Sequence, residues 1–175
     1  LRDGKPVGQK VAVFGAGGIG FDVAEFLVEK KAEGSADHHR DHWLKEWGID
    51  KQLGERGGLI TPEIDAPERQ IWLLQRKESK VGDGLGKTTG WIHRTVLKNR
   101  KVQMLSGVQY LRIDDEGLHI QVGEIRQCLP VDQVIICAGQ EPLRELQAGL
   151  QAAGKPVHII GGADVAAELD AKRAI

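Results

Sequence analysis

Lys10-Val-Ala-Val-Phe-Gly-Ala-Gly-Gly-Ile-Gly20 decides the reading of this chain. A short apolar strand, Lys10 to Phe14, runs straight into Gly15-Ala16-Gly17-Gly18-Ile19-Gly20, and an amphipathic helix follows. That order fits a dinucleotide-binding turn. Gly15 permits the sharp turn, Gly17 lets a pyrophosphate approach the backbone, and Gly20 lets helix and strand pack closely. The first-turn N–H groups, from Gly18 and Ile19 onward, then face the phosphates at the positive end of the helix dipole.

Working outward, the helix is expected from Gly18 to about Lys31, with Ile19, Val23, Phe26 and Leu27 on its apolar face. Residues 32–69 break the pattern. They hold three histidines (His38, His39, His42) and two prolines, and a short helix is expected around Arg40 to Trp47. So long a connection between first and second strands reads as an insertion. Gln70 to Gln75 is the expected second strand, 82–90 a glycine-rich loop, Trp91 to Arg100 a helix and Val102 to Leu105 a third strand. Three closely spaced runs, Val108 to Ile113, Leu118 to Val122 and Ile125 to Leu129, read as a β-meander. Val131 to Cys137 reads as a buried strand, Val157 to Ile160 as a last strand, and a helix is expected from Val165. The fold class is therefore α/β: a Rossmann-like, three-layer nucleotide-binding domain with a central parallel sheet and a β-meander.

The end of the second strand bears on which dinucleotide is held. A fold that binds NAD usually places Asp or Glu there, to accept from the adenosine ribose hydroxyl. This strand ends Gln75-Arg76-Lys77, with Lys80 close behind; Glu78 follows the cations and no carboxylate precedes them. Guanidinium and ammonium groups at that point match a phosphate dianion, which favours NADP(H). Asp37 and Asp41 lie at the usual spacing of ~20 residues past the glycines, but in a stretch that does not read as a strand end.

Bulk properties exclude several classes. The chain has 175 residues, with 24 Lys and Arg against 25 Asp and Glu. A net charge of −1 gives no cause to expect nucleic acid or an anionic membrane as a partner. Cys128 and Cys137 lack metal-ligand spacing and suit a reducing, cytoplasmic setting rather than a disulfide scaffold. The histidines of the insertion have no Cys or well-spaced carboxylate with them, so no metal is expected. His93, on a helix, reads as a packing or surface residue. Gly84-Leu85-Gly86-Lys87-Thr88-Thr89 resembles a phosphate loop, but Val81 stands where its first glycine is required. No Ser-His-Asp order supports a hydrolase, and no catalytic residue is assigned. Both ends read as cut from a longer protein.

Together with the glycine turn and the basic strand end, the blocks Gly84 to Arg94 (closing Gly90-Trp91-Ile92-His93-Arg94), Ile136-Cys137-Ala138-Gly139-Gln140-Glu141-Pro142 and Gly161-Gly162-Ala163-Asp164-Val165-Ala166-Ala167-Glu168-Leu169-Asp170 carry a resemblance. The chain resembles the C-terminal part of the bacterial NADPH-dependent 2,4-dienoyl-CoA reductases of the flavin and iron–sulfur type, essentially from end to end. In that family hydride passes from NADPH to FAD, then electrons pass through a [4Fe–4S] cluster to FMN in a barrel domain. The resemblance implies an NADP(H)-binding domain at 1–140, containing the insertion, and a returning segment of the FAD-binding domain at 141–175. It matches Gly15, Gly17 and Gly20 to the NADP turn, and Arg76 and Lys77 to the basic strand end. Ala138 and Gly139 match the crossover toward the flavin, and Asp164 matches the acid that meets the FAD ribityl chain. The FAD turn, the barrel, the FMN site and the cluster cysteines are not in this sequence. The chain alone is thus expected to bind NADPH and to catalyse nothing, its partners being the FAD and barrel domains of a parent chain. Two alternatives stand beside this: a related flavoprotein such as an amine dehydrogenase or enoate reductase, and a non-catalytic nucleotide-binding sensor.

Overall fold

A computed structural model describes residues 3–29 and 35–166. The chain divides into two compact units, residues 1–137 and 138–175.

The first unit is built on four short strands: β1 (Lys10–Phe14), β2 (Gln70–Leu74), β3 (Gln103–Leu105) and, further along the chain, β7 (Gln133–Ile136). They form one parallel sheet in the order β3-β2-β1-β7. Val11, Ala12, Val13 and the run Ile71 to Leu74 are all buried, as strands covered on both faces must be. Period two then assigns their faces. Val11, Val13, Ile71 and Leu73 pack with Phe21, Ala24, Leu27, Val28 and Leu97 of α1 (Gly18–Val28) and α3 (Gly90–Asn99). Ala12, Trp72 and Leu74 pack instead with Val108, Leu118, Ile120 and Leu129. The latter belong to an antiparallel meander of β4 (Val108–Asp114), β5 (Gly117–Val122) and β6 (Ile125–Leu129). Helices, parallel sheet and meander are the three layers that the sequence pattern implies.

One expectation about α1 is corrected. Ile19 and Phe26 are exposed, and the buried face is Gly20, Phe21, Ala24, Leu27 and Val28. Both sets have helical spacing, so hydrophobicity alone does not choose between them. Gly20 chooses: a Cβ there would stand 1.8 Å from the Gly15 carbonyl oxygen, so the sheet lies on the side of Gly20. The helix ends at Val28, short of Lys31.

The insertion carries α2 (Ala36–Glu46), capped by the Ser35 hydroxyl accepting from the His38 N–H, and a single 3-10 turn at Arg56–Gly58. It is fastened to the end of α3 by Arg100, the one buried charged residue among those described. Arg100 meets Glu46 at 2.7 Å and donates to the Asp65 carbonyl at 3.0 Å. Trp47 meets Trp91 edge-on, with ring centroids 6.2 Å apart. His42 is paired with Asp65 at 3.0 Å. His93 bridges α3 to α1, its Nδ1 lying 2.7 Å from Glu25 Oε1. The Gly90 to Arg94 block is thus largely structural: Gly90 abuts Leu85, and Arg94 donates to the Gly82 carbonyl.

β7 is only half-buried, and its Ile136 is exposed, contrary to the buried strand expected there. The second unit holds α4 (Glu145–Ala152), which no sequence pattern announced, and a 3-10 turn at Gly161–Ala163. Residues 157–160 form no strand. A lone extended run needs a partner ladder, and the second unit has no strand among its described residues. Val165 and Ala166 are not helical, and the rest of the expected final helix lies outside the described residues.

Two outcomes follow from this packing. Gly20→Ala forces α1 off β1 against backbone rather than a yielding side chain, so it should destabilise the fold by about 3 kcal/mol, read as a lower urea midpoint. Burial raises the Glu25 carboxyl above its usual range, with the His93 hydrogen bond opposing. A carboxyl raised in the folded state contributes stability below its unfolded pKa and loses it as pH rises through the folded value. Stability should therefore decline just above the ordinary carboxylate range, and Glu25→Gln should flatten that decline in urea midpoints measured against pH.

Candidate functional site

Phe14 and Leu74 are register partners in adjacent parallel strands, so the chain leaves β1 and β2 at the same, C-terminal edge of the sheet. The strand order also reverses there: β2 and β3 lie on one side of β1, and β7 on the other. Open α/β sheets take their ligands at such a switch point.

Three features of the β1 exit suit an anion. Gly15 has φ +97°, and its N–H donates to the Leu74 carbonyl at 2.8 Å, which ties the turn to the neighbouring strand. Gly17 is the N-cap of α1 and no side chain caps the helix; no acid stands in its first turn. The helix's leading N–H groups, with Gly18 and Ile19 in that turn, thus keep their donor capacity. A Cβ at Gly17 or Gly18 would meet nothing within 4 Å. Those two glycines leave room above the turn, whereas Gly20 serves the close helix approach already described.

The β2 exit supplies positive charge on a fixed frame. Gln75 Nε2 donates to the carbonyls of Lys77, at 3.0 Å, and Ser79, at 2.6 Å. Gly107 N–H donates to the same Lys77 carbonyl, and Val108 N–H to that of Gln75. The backbone of 75–79 is pinned while Arg76, Lys77 and Lys80 remain exposed. Among the described residues none of these three cations forms an ion pair. Arg76 lies near enough to Tyr110 to act on it: burial raises the phenol's pKa and the guanidinium opposes that rise. Tyr110 in turn stacks on Phe14, with centroids 3.9 Å apart and planes 13° from parallel. An aromatic pair therefore links the basic segment to the residue just before the glycine turn.

Sequence reasoning missed Gln75, Tyr110 and Gly107. Gln75 is visible in retrospect as an amide directly before two cations, but Tyr110 is brought in by a different layer. Lys87 and Thr88 are exposed on a loop whose turn bonds include Gly90 N–H to Gly86 O.

The remaining expected residues belong to the second unit. Ala138 and Gly139 begin it, Gly139 with φ +122° and open space at its Cβ position. Asp164 is exposed, with an oxygen 3.8 Å from Arg144 Nη2. Arg144 also donates to the carbonyls of Ala163 and Asp164, so it organises this turn; the sequence reading assigned it nothing.

Comparison with solved structures returns the same architecture. The chain is similar to 2-naphthoyl-CoA reductase with a TM-score of 0.63 at 15% identity, over 95% of this chain and 20% of that one. It therefore spans a fifth of that enzyme's length. A bacillithiol disulfide reductase from Staphylococcus aureus aligns with a TM-score of 0.47 at 12% identity, over 78% of this chain and 30% of that one. No helix among the described residues is long and apolar enough to cross a membrane. Residues 2–171 match the family model described as pyridine nucleotide-disulphide oxidoreductase. With nearly the whole chain matched and a glycine turn at the switch point of a parallel sheet, this protein belongs to the pyridine nucleotide-disulphide oxidoreductase family.

Proposed function

We propose that the first unit is the NADP(H)-binding module of a flavin and iron–sulfur oxidoreductase that reduces 2,4-dienoyl-CoA. The observation that carries the nucleotide assignment is the exposed Arg76 and Lys77, without an ion pair among the described residues, on the same sheet edge as the glycine turn. The donor set fits. Open space at Gly17 and Gly18 admits a pyrophosphate, and the uncapped first turn of α1 offers N–H groups to it. Arg76 engages a ribose 2′-phosphate through its planar fork, and Lys77 and Lys80 add point charges. Gln75 keeps the segment from relaxing away.

Bound NADPH supplies the hydride and FAD accepts it; the protein's part is to bind and orient. Gly15 to Gly20 fix the pyrophosphate end, and Arg76 to Lys80 fix the adenosine end. In this proposal the second unit is the returning segment of an FAD domain, with Ala138, Gly139 and Asp164 on the flavin side. FAD, FMN and the cluster are then held by further domains of a longer chain, and this chain alone turns over no substrate. The dienoyl-CoA assignment rests on the sequence resemblance. The likeness to 2-naphthoyl-CoA reductase, an enzyme named for another CoA thioester, supports the fold that such a module needs.

Calorimetric titration of the chain with NADPH and NADH tests this. NADPH should bind clearly tighter; equal affinities, or none, would overturn the assignment. Arg76→Ala with Lys77→Ala should cost NADPH about 1.5–3 kcal/mol per contact and leave NADH almost unchanged. Gly17→Ala separates binding from folding. Its methyl meets no protein atom, so the urea midpoint should hold, while both nucleotides lose affinity because the pyrophosphate can no longer approach.

A further inference from the structure

The β-meander brings together side chains that the nucleotide site does not use. His119 on β5 stands directly opposite Cys128 on β6 and Arg112 on β4. Because Leu118 and Ile120 point into the core, His119 lies on the meander's other face. Asp114 at the end of β4 and Glu116 on the turn that follows add two carboxylates. His119 Nε2 is 2.9 Å from Asp114 Oδ1 and 3.9 Å from Glu116 Oε2. A ligand atom from each of Glu116, His119 and Cys128 lies within 4.8 Å of the others. Beside them opens a depression of about 410 Å³, to which both His119 and Cys128 contribute.

We propose that this cluster is a zinc site, with His119 Nε2, Cys128 Sγ and a Glu116 carboxylate oxygen as ligands and the fourth position left to solvent. The donor set selects the metal: thiolate and imidazole favour a borderline-soft ion over magnesium or calcium, and the carboxylates complete a set that zinc accepts. Ligand atoms around a tetrahedral zinc stand about 3.3–3.7 Å apart. Closing the cluster thus asks for a contraction of about 1 Å. Glu116 can take part in that movement, since it sits on the exposed turn with a side chain 77% accessible. Asp114 serves to hold the imidazole: its Oδ1 shares a hydrogen bond with His119 Nε2 and its Oδ2 pairs with Arg112, so zinc takes Nε2 from that bond.

Binding forms the S–Zn bond and breaks S–H, and the proton leaves to solvent. Local spacing hides this site, because its ligands come from two strands and a turn that only the register brings together. It departs from the sequence expectation that the chain holds no metal.

The test uses the full chain, freed of metal by chelation and then titrated with zinc chloride or cobalt chloride. One equivalent of zinc per chain should bind, and cobalt should give a thiolate-to-metal charge-transfer band with the visible spectrum of a four-coordinate ion. Cys128→Ser should abolish that band and weaken zinc at least tenfold. Glu116→Gln, on an exposed turn that leaves the fold untouched, should weaken zinc severalfold. Cys137→Ser should change neither. Substoichiometric zinc, a band that survives Cys128→Ser, or equal losses in Cys137→Ser would each overturn the assignment.

Discussion

Helix α1 leaves β1 through a contact that only glycine allows: at Gly20 any side chain would run into the Gly15 carbonyl oxygen. That approach sets the depth of the helix on the sheet and so which α1 residues are buried. With Gly20 facing β1, Phe21 reaches Gly82, whose own Cβ would stand 2.7 Å from the Phe21 ring. The 82–90 loop and α3 then close over the same face, and Glu25 comes within reach of His93. One side of the molecule is thus assembled from the β1 exit outward. The constraint that shapes the core also leaves the helix N-terminus bare at the sheet edge.

The other side is independent in origin. Ala12, Trp72 and Leu74 need cover, and the meander provides it without a helix. This explains why Phe14 and Tyr110 matter beyond packing. They are the outermost members of that interface at the C-terminal edge, and they bring Arg76 alongside the β1 exit. Charge at a strand end is ordinarily a solvated feature. Here it is held on backbone locked by Gln75 and Gly107, which fits the proposed role, since such a segment would lose little backbone freedom when an anion arrives.

Much of this was legible in the sequence. β1, β2, α3 and all three meander strands lie within one or two residues of where pattern and turn chemistry put them. Period two in parallel strands and Gly at turns are strong local signals. The failures share a physical cause: each needed a contact from elsewhere. The face of α1 depended on Gly20 meeting Gly15. Residues 157–160 read as a strand by composition, yet a strand exists only with a ladder beside it. Arg100 stood only as the last residue of an expected helix and is a buried clasp on the insertion. The basic strand end was visible, but the amide and aromatic groups that hold it were not, since Tyr110 lies 34 residues further along.

The insertion shows how such a fold tolerates a long detour. Loop entropy grows only slowly with length, so the cost is set by what the loop leaves unsatisfied. Arg100 supplies the anchor, with Glu46 and the Asp65 carbonyl taking two of its nitrogens, while its Nε has no partner. A buried guanidinium with an unmet donor is an expensive fastener if stability were its only purpose. What it does provide is position: with Trp47 against Trp91 and His42 against Asp65, it holds α2 beside α3. The insertion is thus fastened along α3, at Trp91 near its start and at Arg100 just past its end.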